Sequence, residues 1–514
     1  MVQAVKRVVI VGGGTAGWLT AGIIAAKHRS RIPVSFSVTL VESPNTPIIG
    51  VGEGTWPTLR TTLSRIGVSE TELFRQCDAS FKQGAWFGRW TTGEKHDGYY
   101  HPLMLPQNFS QINLVPHWLA RNDGRSFCDA VCPQGRICDD GLAPKTIATA
   151  EYEALANYSY HLDAAKFAPF LQKHCCEQLG VRHVLADVRR VHLSENGDIR
   201  ALETEQAGEI EGDLFVDCTG FKALLIGQTL GVPFVDCSDI LFCDTALAVQ
   251  VPYATDTSPI ASHTISTAQS SGWIWDIGLP TRRGVGHVFS SRHISDEEAE
   301  RELRDYIGPA GKDLPVRRIP IRSGHRQIFW KRNCVAVGLS AGFLEPLESS
   351  AIVLIEMSAK LIAEQMPVCR EVMDVIAARF NNTTEYRWGR IIDFLKLHYV
   401  LTQREDSAFW RDNRLPETIP ERLQHLLLLW RYQSPWYHDE FDRIEEVFPA
   451  ASYQYVLYGM GFRTEVEPQI VAGSTTAAER AMRENVSQME KLRTGLPRHR
   501  ELIRKIVQHG LQPV

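Results

Sequence analysis

The start of the chain constrains its fold more than any other stretch. "KRVVIVG", residues 6–12, is a short apolar run that ends in glycine, and "TAGWLTAGIIAAKH" follows with helical spacing. Such a run reads as a buried parallel strand. Gly12, Gly14 and Gly17 complete a GxGxxG pattern between strand and helix, with Thr15 and Ala16 inside it. The first glycine permits a tight turn, the second lets a pyrophosphate approach the backbone, and the third lets helix pack on strand. The helix N-terminus then faces the phosphate charge. "SFSVTLVES", residues 35–43, is the next strand, and Glu42 at its end can bond ribose hydroxyls. A glycine-rich turn without ligand is the plainer alternative, but the strand–turn–helix context favours a dinucleotide.

The 514 residues allow two to four domains of roughly 150 residues each, or one large core with insertions. A net charge of −5 offers no field for nucleic acid and no polybasic run for a membrane surface. Five glycines interrupt the first apolar run, and no other stretch reaches the ~18 apolar residues of a spanning helix. A cytoplasmic protein is expected. Eleven cysteines are scattered, and Cys128, Cys132 and Cys138 lack zinc-site spacing, so reduced thiols and no metal are expected.

Residues 57–77 read as two short helices, with Ser69 and Glu72 as a capping box for the second. Residues 80–90 read as extended, 151–179 as helical, and the following forty as short strands turning at Asn196-Gly197. The chain is β-rich from about 240 to 335 and mostly helical from about 350. The expected class is α/β: a Rossmann-like module with an inserted β-sheet over 1–350, and a mainly helical substrate-binding part over 351–514, packed as one unit.

Two further stretches separate FAD from NAD. "GDLFVDCTGF" (212–221) is a strand leading into Asp217, Thr219 and Gly220, and it resembles the second nucleotide-contact strand of FAD-dependent monooxygenase-type proteins. "NCVAVGLSAGFLEPL" (333–347) stands where those proteins have a Gly-Asp motif, but here Gly338 is followed by Leu339 and Ser340. There is one GxGxxG and so no separate nicotinamide domain. The flavin is then reduced by another protein or by transiently bound NAD(P)H.

"SGWIWDIGLP" (271–280) puts Trp273 and Trp275 on one face if it is a strand. Alone it reads as a core strand. In a GxGxxG flavoprotein, Trp-x-Trp-x-Ile resembles the signature of flavin-dependent halogenases of the tryptophan halogenase family. "IGVGEGTWPTL" (49–59) resembles that family's strap over the flavin, "SFKQGAWF" (80–87) its catalytic-lysine strand, and "YYHP" (99–102) its substrate-stacking segment. "GFLEPLESSAI" (342–352) resembles its halide and glutamate segment; "DFLKLHYVLTQRED" (393–406) and "YVLYGMGF" (455–462) resemble its C-terminal helices. The resemblance covers nearly the whole chain.

The resemblance implies a site. Gly12, Gly14, Thr15, Ala16, Gly17, Glu42, Gly52, Val188, Asp217, Gly338 and Leu347 would contact FAD, and Ser350 and Ala351 the halide. Reduced FAD, O2 and chloride or bromide would yield hypohalous acid, which travels an internal tunnel to Lys82. Lys82 either forms a haloamine or holds the oxidant by a hydrogen bond. Glu348 stabilises the cationic ring intermediate or accepts its proton. Trp273 and Trp275 would form a wall between oxidant generation and use, as motif residues and not catalysts. His101, Leu103 and Tyr453 would meet the aromatic substrate, with a lid near 440–465. A separate NAD(P)H-dependent flavin reductase is implied, and a homodimer stays open.

The residue types suit this chemistry. A buried lysine is pushed toward its neutral form, and a nearby carboxylate offsets its charge. Without the family, Lys82 would read as an exposed strand lysine, Glu348 as a helix-start carboxylate and Tyr453 as core. The family often has Thr-Gly where Ser350-Ala351 stands, which leaves chloride or bromide open. Leu103 replaces a common Phe, and "IGLP" replaces "IP". These departures point to indole or a substituted indole over free tryptophan. The rivals are a flavin-dependent aromatic monooxygenase, which would bring the ring to the flavin, and a non-catalytic flavin-binding protein.

Overall fold

The computed structural model describes residues 4–32, 34–46, 52–121, 123–437, 446–465 and 468–513. They group into two compact units, each assembled from three segments. The first comprises Met1–Asp78, Leu162–Cys237 and Arg322–Trp388; the second comprises Ala79–His161, Ser238–Ile321 and Gly389–Val514. This interleaving differs from a single division after residue 350.

The first unit holds a six-stranded sheet in the order Trp330–Lys331, Cys334–Ala336, Leu214–Asp217, Arg7–Val11, Ser37–Glu42, Arg182–Leu185. All pairs are parallel except the short Trp330–Lys331 edge. Val8 to Val11 are buried, as a central strand covered on both faces requires. Val11 stands level with Val41 on one side and Asp217 on the other, and Asp217 with Ala336. The ends of four strands therefore converge at the carboxyl edge of the sheet, where open α/β sheets take their ligands. The helix Thr15–Lys27 is lined with Gly17, Ala21, Gly22 and Ala25, which let it lie close to the sheet. The hairpin at Asn196-Gly197 forms as expected, with Gly197 at φ 81°.

Residues 151–179 depart from the helix expected there. Ser159–Asp163 is a strand, and the helix runs only over Ala164–Leu179. The strand is buried along its whole length, and the Asp163 side chain accepts from Ala165 N–H, so it caps the helix and ends the strand. The Ser69 cap forms on Glu72 N–H, while the Glu72 carboxylate turns to Arg75 and Gln76.

The second unit holds a seven-stranded sheet: Arg317–Pro320, Thr245–Pro252, Arg282–Phe289, Gly272–Gly278, Thr264–Ala268, Gly84–Gly88, Gly98–Pro102. Ile274 packs on one face with Leu247, Val249, Val285 and Phe289 against Ala299 and Leu303 of the helix Asp296–Ile307. The short strand Ser80–Lys82 pairs separately, Ser80 opposite His161 and Lys82 opposite Ser159. Beyond residue 400 this unit is helical, with Glu421–Trp430, Ala450–Gly459, Pro468–Gly495 and His499–His509. Among the described residues no helix is long and apolar enough to cross a membrane. All eleven cysteines are free thiols.

Candidate active site

In the first unit the glycine loop is shaped by what its residues lack. A Cβ on Gly12 would lie 2.2 Å from Cys218 O, and one on Gly17 would lie 1.8 Å from Gly12 O. A Cβ on Gly13 would strike the Glu42 side chain, which folds over the loop. At Gly14 a Cβ would meet nothing within 4 Å. Gly14 also begins the helix with no side-chain cap, and no acid stands in its first turn. Three glycines are thus required by packing, and the fourth leaves open space before uncapped N–H groups. That arrangement fits a pyrophosphate.

The surrounding residues follow from the strand register. The Glu42 carboxylate lies 2.9 Å from His183 Nε2. Ala186 N–H donates to Glu42 O at 2.8 Å, so Val188, the first residue of Val188–Leu193, lies just beyond that strand end. Gly338, at φ 73°, approaches the first turn of the helix so closely that a Cβ would lie 2.6 Å from the Ala16 Cβ. The Asp217 carboxylate accepts from Thr219 N–H, Thr219 Oγ1, Leu225 N–H and Ile226 N–H. It is committed to its own turn, so any contact it gives a cofactor comes from its backbone. Gly52 opens the strand Gly52–Gly54; residues 49–51 of the strap lie outside the described residues.

The Glu348 turn lies in the same unit. Leu347 is buried, and Glu348 and Ser349 both adopt the left-handed conformation, at φ 64° and 56°. Each such non-glycine residue costs of order 1–3 kcal/mol and persists only where the surroundings hold it. Trp56 Nε1–H donates to Glu348 O at 2.7 Å, and Ser349 N–H to Pro346 O at 3.0 Å. Ser350 and Ala351 then begin the helix Ser350–Glu364, with no acid in its first turn. Lower on that helix, Glu356 is 4 % exposed and accepts from Thr58 Oγ1 and Thr62 Oγ1. Burial pushes its carboxyl up to about 7. Trp56 and this buried carboxyl are features the sequence reading missed. Neither has a local signal, because each partner lies about 290 residues away.

In the second unit Lys82 is only 4 % exposed. Its strand is fixed on both sides: Phe81 N–H donates to His499 Nε2 at 3.0 Å and Gln83 N–H to Ser262 O at 2.7 Å. Ser80 Oγ donates to Gly278 O, at the end of the Trp273/Trp275 strand. His499 Nδ1 donates to Ile260 O at 3.0 Å, which leaves Nε2 as the acceptor. Burial lowers the His499 pKa to about 4, so the ring is neutral.

Trp273 and Trp275 are both buried, on the face opposite Ile274. Gly286 makes room for Trp275, because a Cβ there would lie 2.1 Å from the indole. Trp273 stands 6.4 Å from the Trp90 ring. His101 is buried, with Nε2 2.9 Å from Ser452 Oγ and its ring 5.7 Å from Phe394 and 6.2 Å from Tyr455. Tyr453 is 1 % exposed and packs edge-on against Phe394 at 4.9 Å and beside Trp430 at 5.1 Å. Phe394 therefore links His101 to Tyr453. Leu103 is half-buried, its N–H held by Gln134 Oε1 and its carbonyl by Asn157. Residues 440–445 of the expected lid lie outside the described residues. Lys82 belongs to the second unit and Glu348 to the first.

A family model, Tryptophan halogenase, matches residues 7–475. The tryptophan 6-halogenase SttH of Streptomyces toxytricini is 34% identical over 92% of this chain and 93% of its own. The tryptophan 7-halogenase RebH of Lentzea aerocolonigenes is 32% identical over 92% and 93%. The crystal structure of a tryptophan halogenase from Shewanella frigidimarina matches with a TM-score of 0.96 at 47% identity, covering 99% of each chain.

Proposed function

The chain belongs to the tryptophan halogenase family, the flavin-dependent halogenases, and from that premise we propose that it halogenates an indole-type ring through Lys82 and Glu348. FAD, reduced by a separate NAD(P)H-dependent reductase, supplies hypohalous acid from O2 and chloride or bromide when it is bound. Gly12, Gly14, Thr15, Ala16 and Gly17 would hold its pyrophosphate, Glu42 its ribose, and Gly52, Val188, Asp217, Gly338 and Leu347 the rest. The N–H groups of Ser350 and Ala351 would hold the halide.

Lys82 receives the oxidant, as an ammonium donor or as an amine. Glu348 offsets the positive charge of the attacked ring or takes its proton. The observation that carries this reading is the buried Lys82 on a strand fixed at both neighbouring amides. Lysines are almost never fully buried unless paired, as Lys145 is with Ala150 O and Lys396 with Asn413 Oδ1. Support for indole over free tryptophan comes from Leu103, which stands where tryptophan-specific members of the family often have Phe. SttH and RebH are named for tryptophan, so both substrates belong in the test.

The enzyme is supplied with reduced FAD, O2, and indole or tryptophan, with chloride or bromide, and products are read by mass. A halide-dependent product, greater on indole, is expected. Hydroxylated ring without halogen would support the aromatic monooxygenase instead.

A further inference from the structure

The reaction as described leaves two buried histidines near the lysine strand unused, His161 and His263, and of these His161 lies on the strand paired with Lys82. Alternate residues of a strand share a face, and so do their cross-strand partners. Ser80 pairs with His161 and Lys82 with Ser159, which makes Lys82 and His161 diagonal neighbours on one face. His161 is completely buried. Its Nε2 lies 2.8 Å from Thr264 Oγ1, and its Nδ1 has no hydrogen-bond partner among the described residues. A buried nitrogen left open is destabilising and calls for a reason.

Three charged or titratable groups act on the ring: Lys82 from the paired strand, His499 from the C-terminal helix, and His263 from the residue before Thr264–Ala268. Burial, and then the charge of Lys82, push the His161 pKa well below its ordinary value. His263 and His499 are lowered by burial to about 4. All three rings are neutral at neutral pH. Both nitrogens of His499 are engaged, by Ile260 O and Phe81 N–H.

We propose that His161 is a positioning residue of the halogenating site, its open Nδ1 sharing a proton with Lys82 Nζ as the lysine engages the oxidant. This rests on the role given to Lys82 above. The Lys82 ammonium passes one proton to Nδ1. Its nitrogen lone pair then attacks the halogen of hypohalous acid, so the N–halogen bond forms and the O–halogen bond breaks. The bonding pair leaves on hydroxide, which takes the proton back from Nδ1 as water. His161 ends neutral, and Lys82 carries the halogen in place of that proton. The weak basicity of the ring makes its protonation brief.

Two substitutions separate the two nitrogens. His161→Gln keeps a polar atom near the Nε2 position, for Thr264, and removes Nδ1. His161→Asn keeps one near Nδ1 and gives up Thr264. Each full-length variant is assayed with reduced FAD, O2, bromide and indole for brominated product per flavin oxidised, across about pH 6 to about pH 10. Expected is a fall of at least about tenfold in both variants, because neither amide takes up a proton, partly restored at high pH where hydroxide can take the lysine proton. The proposal is overturned if either variant matches the parent in yield and pH profile, or if the loss is the same at every pH. Lys82→Ala is run alongside. If it is inactive while His161→Gln is normal, only this inference falls; if it halogenates normally, the lysine reading falls and takes this inference with it.

Discussion

At the Gly12–Gly17 loop the chain works by leaving side chains out, and at the Ser80–Lys82 strand it works by crowding them in. Three of the loop's glycines are required by Gly12 itself, by Glu42 at the end of the next strand and by Cys218 just past the strand Leu214–Asp217. The lysine strand is held by Ser262 and by His499, the latter 418 residues away. The lesson is that both are assembled from remote segments, but the cradle marks itself in one short motif because it needs missing side chains, whereas the reactive lysine carries no such local mark.

The largest effect expected from this contrast lies within the loop. Gly17→Ala drives a Cβ into backbone that cannot move aside, so FAD binding is lost and the melting temperature falls. Gly14→Ala meets nothing within 4 Å, so the melting temperature holds while FAD affinity drops by roughly tenfold or more. Thermal melts and flavin titration of the two variants separate packing from binding. Equal losses of stability would break the distinction.

A smaller effect is expected at the Glu348 turn, which mixes both modes: a strained local backbone held by a distant ring. Trp56→Phe keeps the ring and removes the hydrogen bond to Glu348 O, which contributes about 0.5–1.5 kcal/mol. Turnover is expected to fall by up to about tenfold with FAD affinity unchanged. A change in FAD affinity with normal turnover would assign the Trp56 indole to flavin binding and not to the Glu348 turn.

The smallest effect is a difference in pH response. For His499 the folded pKa, about 4, lies below the ordinary 6.5, so the unfolded chain binds more protons between those values. Its contribution is present in full above about 6.5 and is lost as pH falls toward 4. Glu356 runs the other way: its folded pKa is raised from 4.5 to about 7, so its contribution is present below 4.5 and is lost as pH rises through 7. Each slope is at most about 1.4 kcal/mol per pH unit. Urea unfolding at several pH values should show the rising slope reduced in His499→Gln and the falling slope reduced in Glu356→Gln.

The same contrast explains what could be read from the sequence. The glycine loop, the strand ending at Glu42 and the Asn196-Gly197 hairpin are local, and each was legible. The strand Ser159–Asp163 was hidden inside a stretch read as helix, because its partner, Ser80–Lys82, is about eighty residues away. For the same reason His161 had no visible role. Phe394, Tyr455 and Trp430 surround His101 and Tyr453 only through tertiary packing. Asp217 was legible as a strand end, but the use of its carboxylate was not, because the N–H groups of Leu225 and Ile226 reach it from a following turn.

The central claim is tested most directly by Lys82→Met, which keeps the length of the side chain and removes its nitrogen. The parent and the variant are given the same reduced FAD, O2, bromide and indole, and bromoindole and flavin oxidation are followed together. The account predicts that both oxidise flavin at similar rates while the variant loses roughly 10²–10⁴-fold in bromoindole. Bromoindole formed by Lys82→Met at the parent rate would contradict it.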